Sequence, residues 1–216
     1  MKTKQSMPHS RESIRATGAS LDEANAVLIF MHGRGASAGS ILTLAQELTT
    51  RDDIAFLAPQ AENYTWYPNR FLAPISANEP WLTGALQAVD RVVETAINRG
   101  IPTERIGLLG FSQGACLTLE YAARHPKRYG AVIGFSGGLI GDDDGIREDL
   151  SGNLAETPVF LGCSDQDFHI PESRVHQADM VLSRMEANVT KRIYQGMGHT
   201  INADELEHAR RMVAVL

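Results

Sequence analysis

An α/β protein with a mostly parallel central sheet and helices on both faces is the fold class this sequence predicts, on three observations. Short apolar runs alternate with longer segments at helical spacing, the mark of repeated βα units. The run Ala26–Met31 (AVLIFM) is unbroken, as in a strand buried on both faces. The 216 residues contain no internal repeat and no low-complexity stretch, and that length suits a single domain, residues 1–216.

The elements follow in order. After the first strand, 40–48 reads as a helix with Ile41, Leu44, Ala45 and Leu48 on one face. Residues 54–58 form the next strand, stopped by Pro59. The segment 60–80 is rich in Pro, Asn and aromatics, and a loop that long in a compact domain is usually functional. Trp81–Asn98 is a helix, with Leu82, Ala85, Leu86, Val89, Val93 and Ile97 at helical spacing. A strand at 105–111 leads into a helix over Gln113–Arg124, which Pro126 helps to end. Ala131–Phe135 is a strand, and 137–156 is irregular. Its acidic run, Asp142, Asp143 and Asp144, reads as a solvated turn, because it lacks the further oxygen ligands of a calcium loop. A strand at 158–163, a helix at 172–187 and a strand at 189–194 follow. The last helix starts near Asn202, which caps it while Glu205 reaches back.

Composition excludes some functions. The net charge is −6, against the basic face expected of a nucleic-acid binder. Cys116 and Cys163 both sit in apolar runs, so they read as buried free thiols. No Cys/His cluster points to a metal. The opening stretch MKTKQSMPHSRESIR lacks an apolar core, so a secretory signal is not expected. No apolar stretch approaches spanning length, so membrane insertion is not expected either, and a cytoplasmic location is the default.

The chemistry centres on a G-x-S-x-G pattern, Gly110-Phe111-Ser112-Gln113-Gly114. An apolar strand precedes the serine and a helix follows it. A serine on such a tight turn is pushed out above the sheet, and the helix N-terminus offers free N–H groups where negative charge develops. A second match, Gly134-Phe135-Ser136-Gly137-Gly138, also follows a strand. Glycines make an immediate helix there improbable on physical grounds, so Ser112 is the candidate nucleophile and Ser136 a strand-end serine.

Serine needs a base, and the base needs a carboxylate to orient it. With the order Ser, acid, His, four histidines are available: His169, His176, His199 and His208. His176 and His208 fall in helices and are expected to face solvent. His199 lies in a Gly-flanked loop between the last strand and the last helix, where a base is needed. Asp165 and Asp167 both follow a strand, at its carboxyl end, and position alone leaves them equal. A metal held by Asp165, Asp167 and His169 lacks a fourth ligand. An oxyanion hole needs two N–H donors: the backbone of Gln113, and that of Arg34 in the loop Met31-His32-Gly33-Arg34-Gly35. His32 precedes the serine and reads as structural. The Arg34 side chain, at the mouth of such a site, is expected to favour anionic substrates. Trp66, Tyr67 and Phe71 are candidates to wall an acyl pocket.

These motifs resemble those of the phospholipase/carboxylesterase family, which includes acyl-protein thioesterases. The likeness runs from about Ala26 to the C-terminus. It rests on HGRG at His32–Gly35, GFSQG at Gly110–Gly114, FSGG at Phe135–Gly138, the D-x-D-x-x-I-P run at Asp165–Pro171, and Gly198-His199. The resemblance implies an α/β-hydrolase fold, no cofactor, and a triad of Ser112, His199 and, as the second acid of the D-x-D run, Asp167. Thioesterase members commonly carry an apolar residue at the Arg34 position and Asp-Pro where Asp167-Phe168 stands. The aromatic loop also looks bulky for a long acyl chain. The expectation is a serine carboxylesterase acting on small-molecule esters through an acyl-enzyme. The alternatives are a lysophospholipase or acyl-thioesterase with the same residues, or a non-catalytic binding protein on this scaffold. A homodimer is compatible with all of them.

Overall fold

The computed structural model describes residues 6–142 and 147–216. Asp143 and Asp144 of the acidic run lie outside the described residues. Seven strands form one sheet: β1 (Ile14–Gly18), β2 (Ala26–Met31), β3 (Ile54–Pro59), β4 (Ile106–Phe111), β5 (Ala131–Phe135), β6 (Pro158–Ser164) and β7 (Asn188–Tyr194). Their spatial order is β1-β3-β2-β4-β5-β6-β7, and every pairing is parallel except that of β1 with β3. This is the α/β-hydrolase fold.

Side-chain alternation on the buried strands builds two cores. Val27, Ile29 and Met31 of β2 point to one face, where α3 (Trp81–Asn98), α4 (Gln113–Arg124) and α5 (Glu172–Arg184) pack. Ala26, Leu28 and Phe30 point to the other, covered by α1 (Ala38–Ile41), α2 (Leu44–Leu48) and α6 (Ala203–Val213). Among the described residues no helix is long and apolar enough to cross a membrane.

Two elements differ from expectation. The single helix at 40–48 is two short ones. Ser37 and Ser40 form a capping box that starts α1, and the Thr43 hydroxyl bonds back to the Ser40 carbonyl (2.8 Å) where the helix breaks. Strand β1 was unforeseen. It is an edge strand exposed along its whole length, with Ile14 its one bulky apolar residue, so it carries no buried apolar run.

From β2 the chain moves to β3 on one side, and from β3 it crosses back over β2 to β4 on the other. The sheet therefore has a switch point between β2 and β4, and the loops after these two strands meet at its carboxyl end.

Candidate active site

Ser112 stands at that switch point, between β4 and α4. Its backbone is left-handed, with φ 56° and ψ −121°, a strained conformation for a residue with a Cβ. Its N–H donates to the Phe135 carbonyl (2.9 Å), which ties the turn to β5. The flanking glycines permit the packing. A Cβ on Gly110 would strike Gly114, and one on Gly114 would strike the Met31 and His32 carbonyls.

The Ser112 hydroxyl lies 2.9 Å from His199 Nε2, and His199 Nδ1 lies 2.7 Å from Asp167 Oδ2. In this geometry Nδ1–H can donate to the carboxylate and Nε2 can accept from the serine. The His199 ring is held between the rings of Phe111 and His169, with centroids at 5.0 and 4.7 Å. Gly198 N–H donates to Ser164 Oγ (3.0 Å), fixing the loop that carries it.

Asp167 is buried, yet it stays ionised. Burial pushes its pKa up, but the bonds from His199 and from the His169 and Ile170 N–H groups (2.8 and 3.1 Å, both to Oδ1) outweigh that. The net pKa lies below the usual carboxylate value. The Cys163 thiol adds a weak contact to Oδ2 at 3.7 Å. Asp165 is exposed and accepts the Gly196 N–H (2.8 Å), so it braces the histidine loop from outside.

The loop after β2 runs beside the nucleophile; a Cβ on Gly33 would lie 3.5 Å from Ser112 Cβ. Among the described residues, neither the Arg34 nor the Gln113 backbone N–H is bonded within the protein. Two free donors thus flank the serine, as an oxyanion requires.

The aromatic loop is bound tightly to this machinery. The Gln113 side chain accepts from Trp66 N–H (3.0 Å) and donates to the Tyr67 carbonyl (2.8 Å). The Arg34 guanidinium donates to the carbonyls of Tyr67 (2.9 Å), Pro68 (3.0 Å) and Asn69 (2.6 Å). The expectation that it reads substrate charge is corrected here, because those donors face the loop.

Two buried histidines hold the loop's base. His32 Nε2 accepts the Ala61 N–H (3.1 Å), and His9 Nδ1 accepts the Glu62 N–H (2.9 Å). Both rings must be neutral for this, and burial lowers both pKa values. His9, in a polar N-terminal stretch, carried no sequence signal of burial.

A cavity of about 360 Å³ opens above Ser112. Tyr67 and Phe71 line it, and the buried Tyr67 hydroxyl lies beside the Cys116 thiol. Trp66 does not line it, which corrects that expectation. It is fully buried behind the wall, where its indole N–H donates to the His32 carbonyl (2.8 Å). His169 and Arg70, to which no binding role was assigned from sequence, are part of the lining.

Ser136 also adopts a left-handed backbone, with φ 51°, but it is fully buried and its hydroxyl lies beside the Cys163 thiol. Of the remaining histidines, His176 is half-exposed. His208 is not solvent-facing as expected: it stacks on Phe160, with centroids 4.8 Å apart. Both cysteines are free and buried, and among the described residues no cluster suits a metal ion.

The strained serine on a strand-to-helix turn, at the carboxyl end of the sheet's central strand, defines the class: an α/β-hydrolase. The chain belongs to the phospholipase/carboxylesterase family, whose model matches residues 13–216. It is thereby an ester hydrolase. It is similar to a phospholipase/carboxylesterase from Dyadobacter fermentans of known structure (TM-score 0.89, 40% identity, covering 94% of this chain and 96% of that one). The structure of esterase PE8 is also similar (TM-score 0.78, 26% identity, 95% and 99% covered). Among curated proteins, acyl-protein thioesterase 1 of Saccharomyces cerevisiae is 29% identical over 213 residues, covering 88% of this chain and 92% of its own length.

Proposed function

We propose that this chain is a serine carboxylesterase that hydrolyses small carboxylic esters through an acyl-enzyme. The observation that carries this reading is the continuous relay Ser112–His199–Asp167, at 2.9 and 2.7 Å, opening into one cavity. Ser112 Oγ attacks the ester carbonyl carbon while its proton passes to His199 Nε2. The new oxyanion is received by the backbone N–H groups of Arg34 and Gln113. Asp167 stabilises the imidazolium that forms. Collapse of the tetrahedral intermediate breaks the bond to the alcohol oxygen, which takes the proton from His199. Water, deprotonated by His199, then releases the acid and restores Ser112.

Cavity size supports a small acyl group, since about 360 Å³ is near the lower end of the usual ~300–1,000 Å³ range of ligand pockets. A second reading, an acyl-thioesterase with the same residues, is favoured by the likeness to the yeast thioesterase. A series of nitrophenyl esters from acetyl to palmitoyl, with acyl thioesters alongside, separates the two. Short esters should give the highest kcat/KM, with palmitoyl lower by about tenfold or more, equivalent to roughly 1.4 kcal/mol of barrier. A maximum at palmitoyl, or on thioesters alone, would overturn the small-ester reading. Absence of turnover throughout would overturn catalysis itself.

A further inference from the structure

The cavity above Ser112 is cationic in an acidic protein. Two arginines, Arg34 and Arg70, line it, and among the described residues no aspartate or glutamate does, although the chain's net charge is −6. The two arginines differ in how their donors are used. Arg34 is committed to three loop carbonyls at 2.6–3.0 Å. Arg70 is exposed, and its guanidinium makes one long bond, to the His169 carbonyl at 3.4 Å. Among the described residues it has no carboxylate partner. Most of its five N–H donors are therefore unmatched among the described residues, on a side chain that lines the cavity.

The backbone that presents Arg70 is fixed. Asn78 is fully buried, and its amide clamps the residue from both sides: Oδ1 accepts the Asn69 N–H (2.9 Å) and Nδ2 donates to the Arg70 carbonyl (3.2 Å). The Ala73 N–H donates to the same carbonyl (3.1 Å). On the other side Phe71 is buried in the cavity wall, with the Arg174 guanidinium 5.3 Å from its ring centre. A buried polar side chain is thus used to hold one exposed cation at the rim of the reactive site.

We propose that Arg70 is a specificity-determining residue that binds a carboxylate carried by the ester substrate, so that the preferred substrates are half-esters of small dicarboxylic acids or similar acidic esters. The proposal rests on the ester-hydrolase reading of the site. A guanidinium with a planar pair of free donors matches a carboxylate in two parallel charge-assisted bonds. An anion reaching Arg70 would replace a single 3.4 Å contact to a neutral carbonyl. Among the described residues no acid of the lining opposes such a substrate.

The test uses two matched nitrophenyl esters, the half-ester of glutaric acid and its methyl ester, which differ by one charge. The quantity read is the ratio of kcat/KM, anionic over neutral, in the wild-type protein, Arg70→Ala, Arg70→Lys and Arg34→Ala. Arg70→Ala should lower the ratio about tenfold, chiefly through KM, as expected for a charge-assisted contact partly screened at the rim. Arg70→Lys should recover part of it, and added salt should shrink the wild-type preference. Arg34→Ala should lower both esters together and leave the ratio near wild type, because its side chain faces the loop. A ratio unmoved by Arg70→Ala, with both esters still hydrolysed, overturns the assignment of Arg70 alone. Turnover of neither ester by the wild-type protein overturns the ester-hydrolase reading beneath it. Loss of the ratio in Arg34→Ala but not in Arg70→Ala assigns the charge reader to the other arginine and likewise overturns the proposal.

Discussion

Asp165 and Asp167 share one loop and one charge, yet they work on opposite sides of the histidine segment. Asp167 turns inward, where His199 and two backbone N–H groups converge on it, while Asp165 faces out to Gly196. Sequence position did not separate them, because both follow β6; only the likeness of the D-x-D run to the family pattern favoured Asp167. Asp167→Asn should lower kcat on the order of a thousandfold or more, since the imidazole loses both its orientation and its counter-charge. Asp165→Asn should act mainly by loosening the loop, with a far smaller effect on kcat. Steady-state kinetics on variants with wild-type circular dichroism decide this; a larger kcat loss in Asp165→Asn would reverse the assignment. Arg34 and Trp66 show a limit of the same kind. Their loops were legible from glycines and aromatics, but side-chain direction depends on contacts made across more than thirty residues of chain, as in the Arg34 bonds to 67–69 and the Trp66 bond to His32.

At the scale of elements, what was legible was what is buried or locally capped. The apolar runs of β2 to β6, the long helices α3 and α4, and the Asn202–Glu205 box of α6 all announce themselves within a few residues. The exposed edge strand β1 does not, because its pairing with β3 leaves no apolar signature. The α6 cap also carries a consequence that its motif did not reveal. Glu205 accepts the Asn202 N–H through Oε2 (2.8 Å), but its Oε1 is buried against Gly162 of β6 without a partner among the described residues. Burial raises its pKa from 4.5 to about 7. A carboxyl with a raised folded-state pKa contributes stability in full below its unfolded value, and that contribution is lost as pH rises through about 7. The loss at pH 8 is about 3 kcal/mol at most. Glu205→Gln keeps the acceptor for Asn202 and removes the charge. Its Tm should therefore exceed that of the wild type at pH 8, by roughly 2–4 °C per kcal/mol, while the gap narrows toward pH 5. Melting curves that stay parallel from pH 5 to 8 would show that Glu205 is not the group that titrates.

Across the whole molecule, the sheet brings together residues far apart in the chain. Ser112 follows β4, Asp167 follows β6 and His199 follows β7, and parallel pairing places all three strand ends on one edge. That convergence follows from the strand class, so the chain order of serine, acid and histidine could be read before the strand order was known. The floor and walls of the site were less legible, because they depend on His9, His32 and Gln113 reaching the aromatic loop from separate segments. The account stands on Ser112 as the nucleophile, against a second G-x-S-x-G serine whose backbone is also left-handed. The most direct measurement is labelling of the folded protein with a fluorophosphonate probe, followed by proteolysis and mass-spectrometric mapping of the modified residue. The label should fall on Ser112, vanish in Ser112→Ala and persist in Ser136→Ala. A label on Ser136, or none on a folded wild-type protein, would contradict the account.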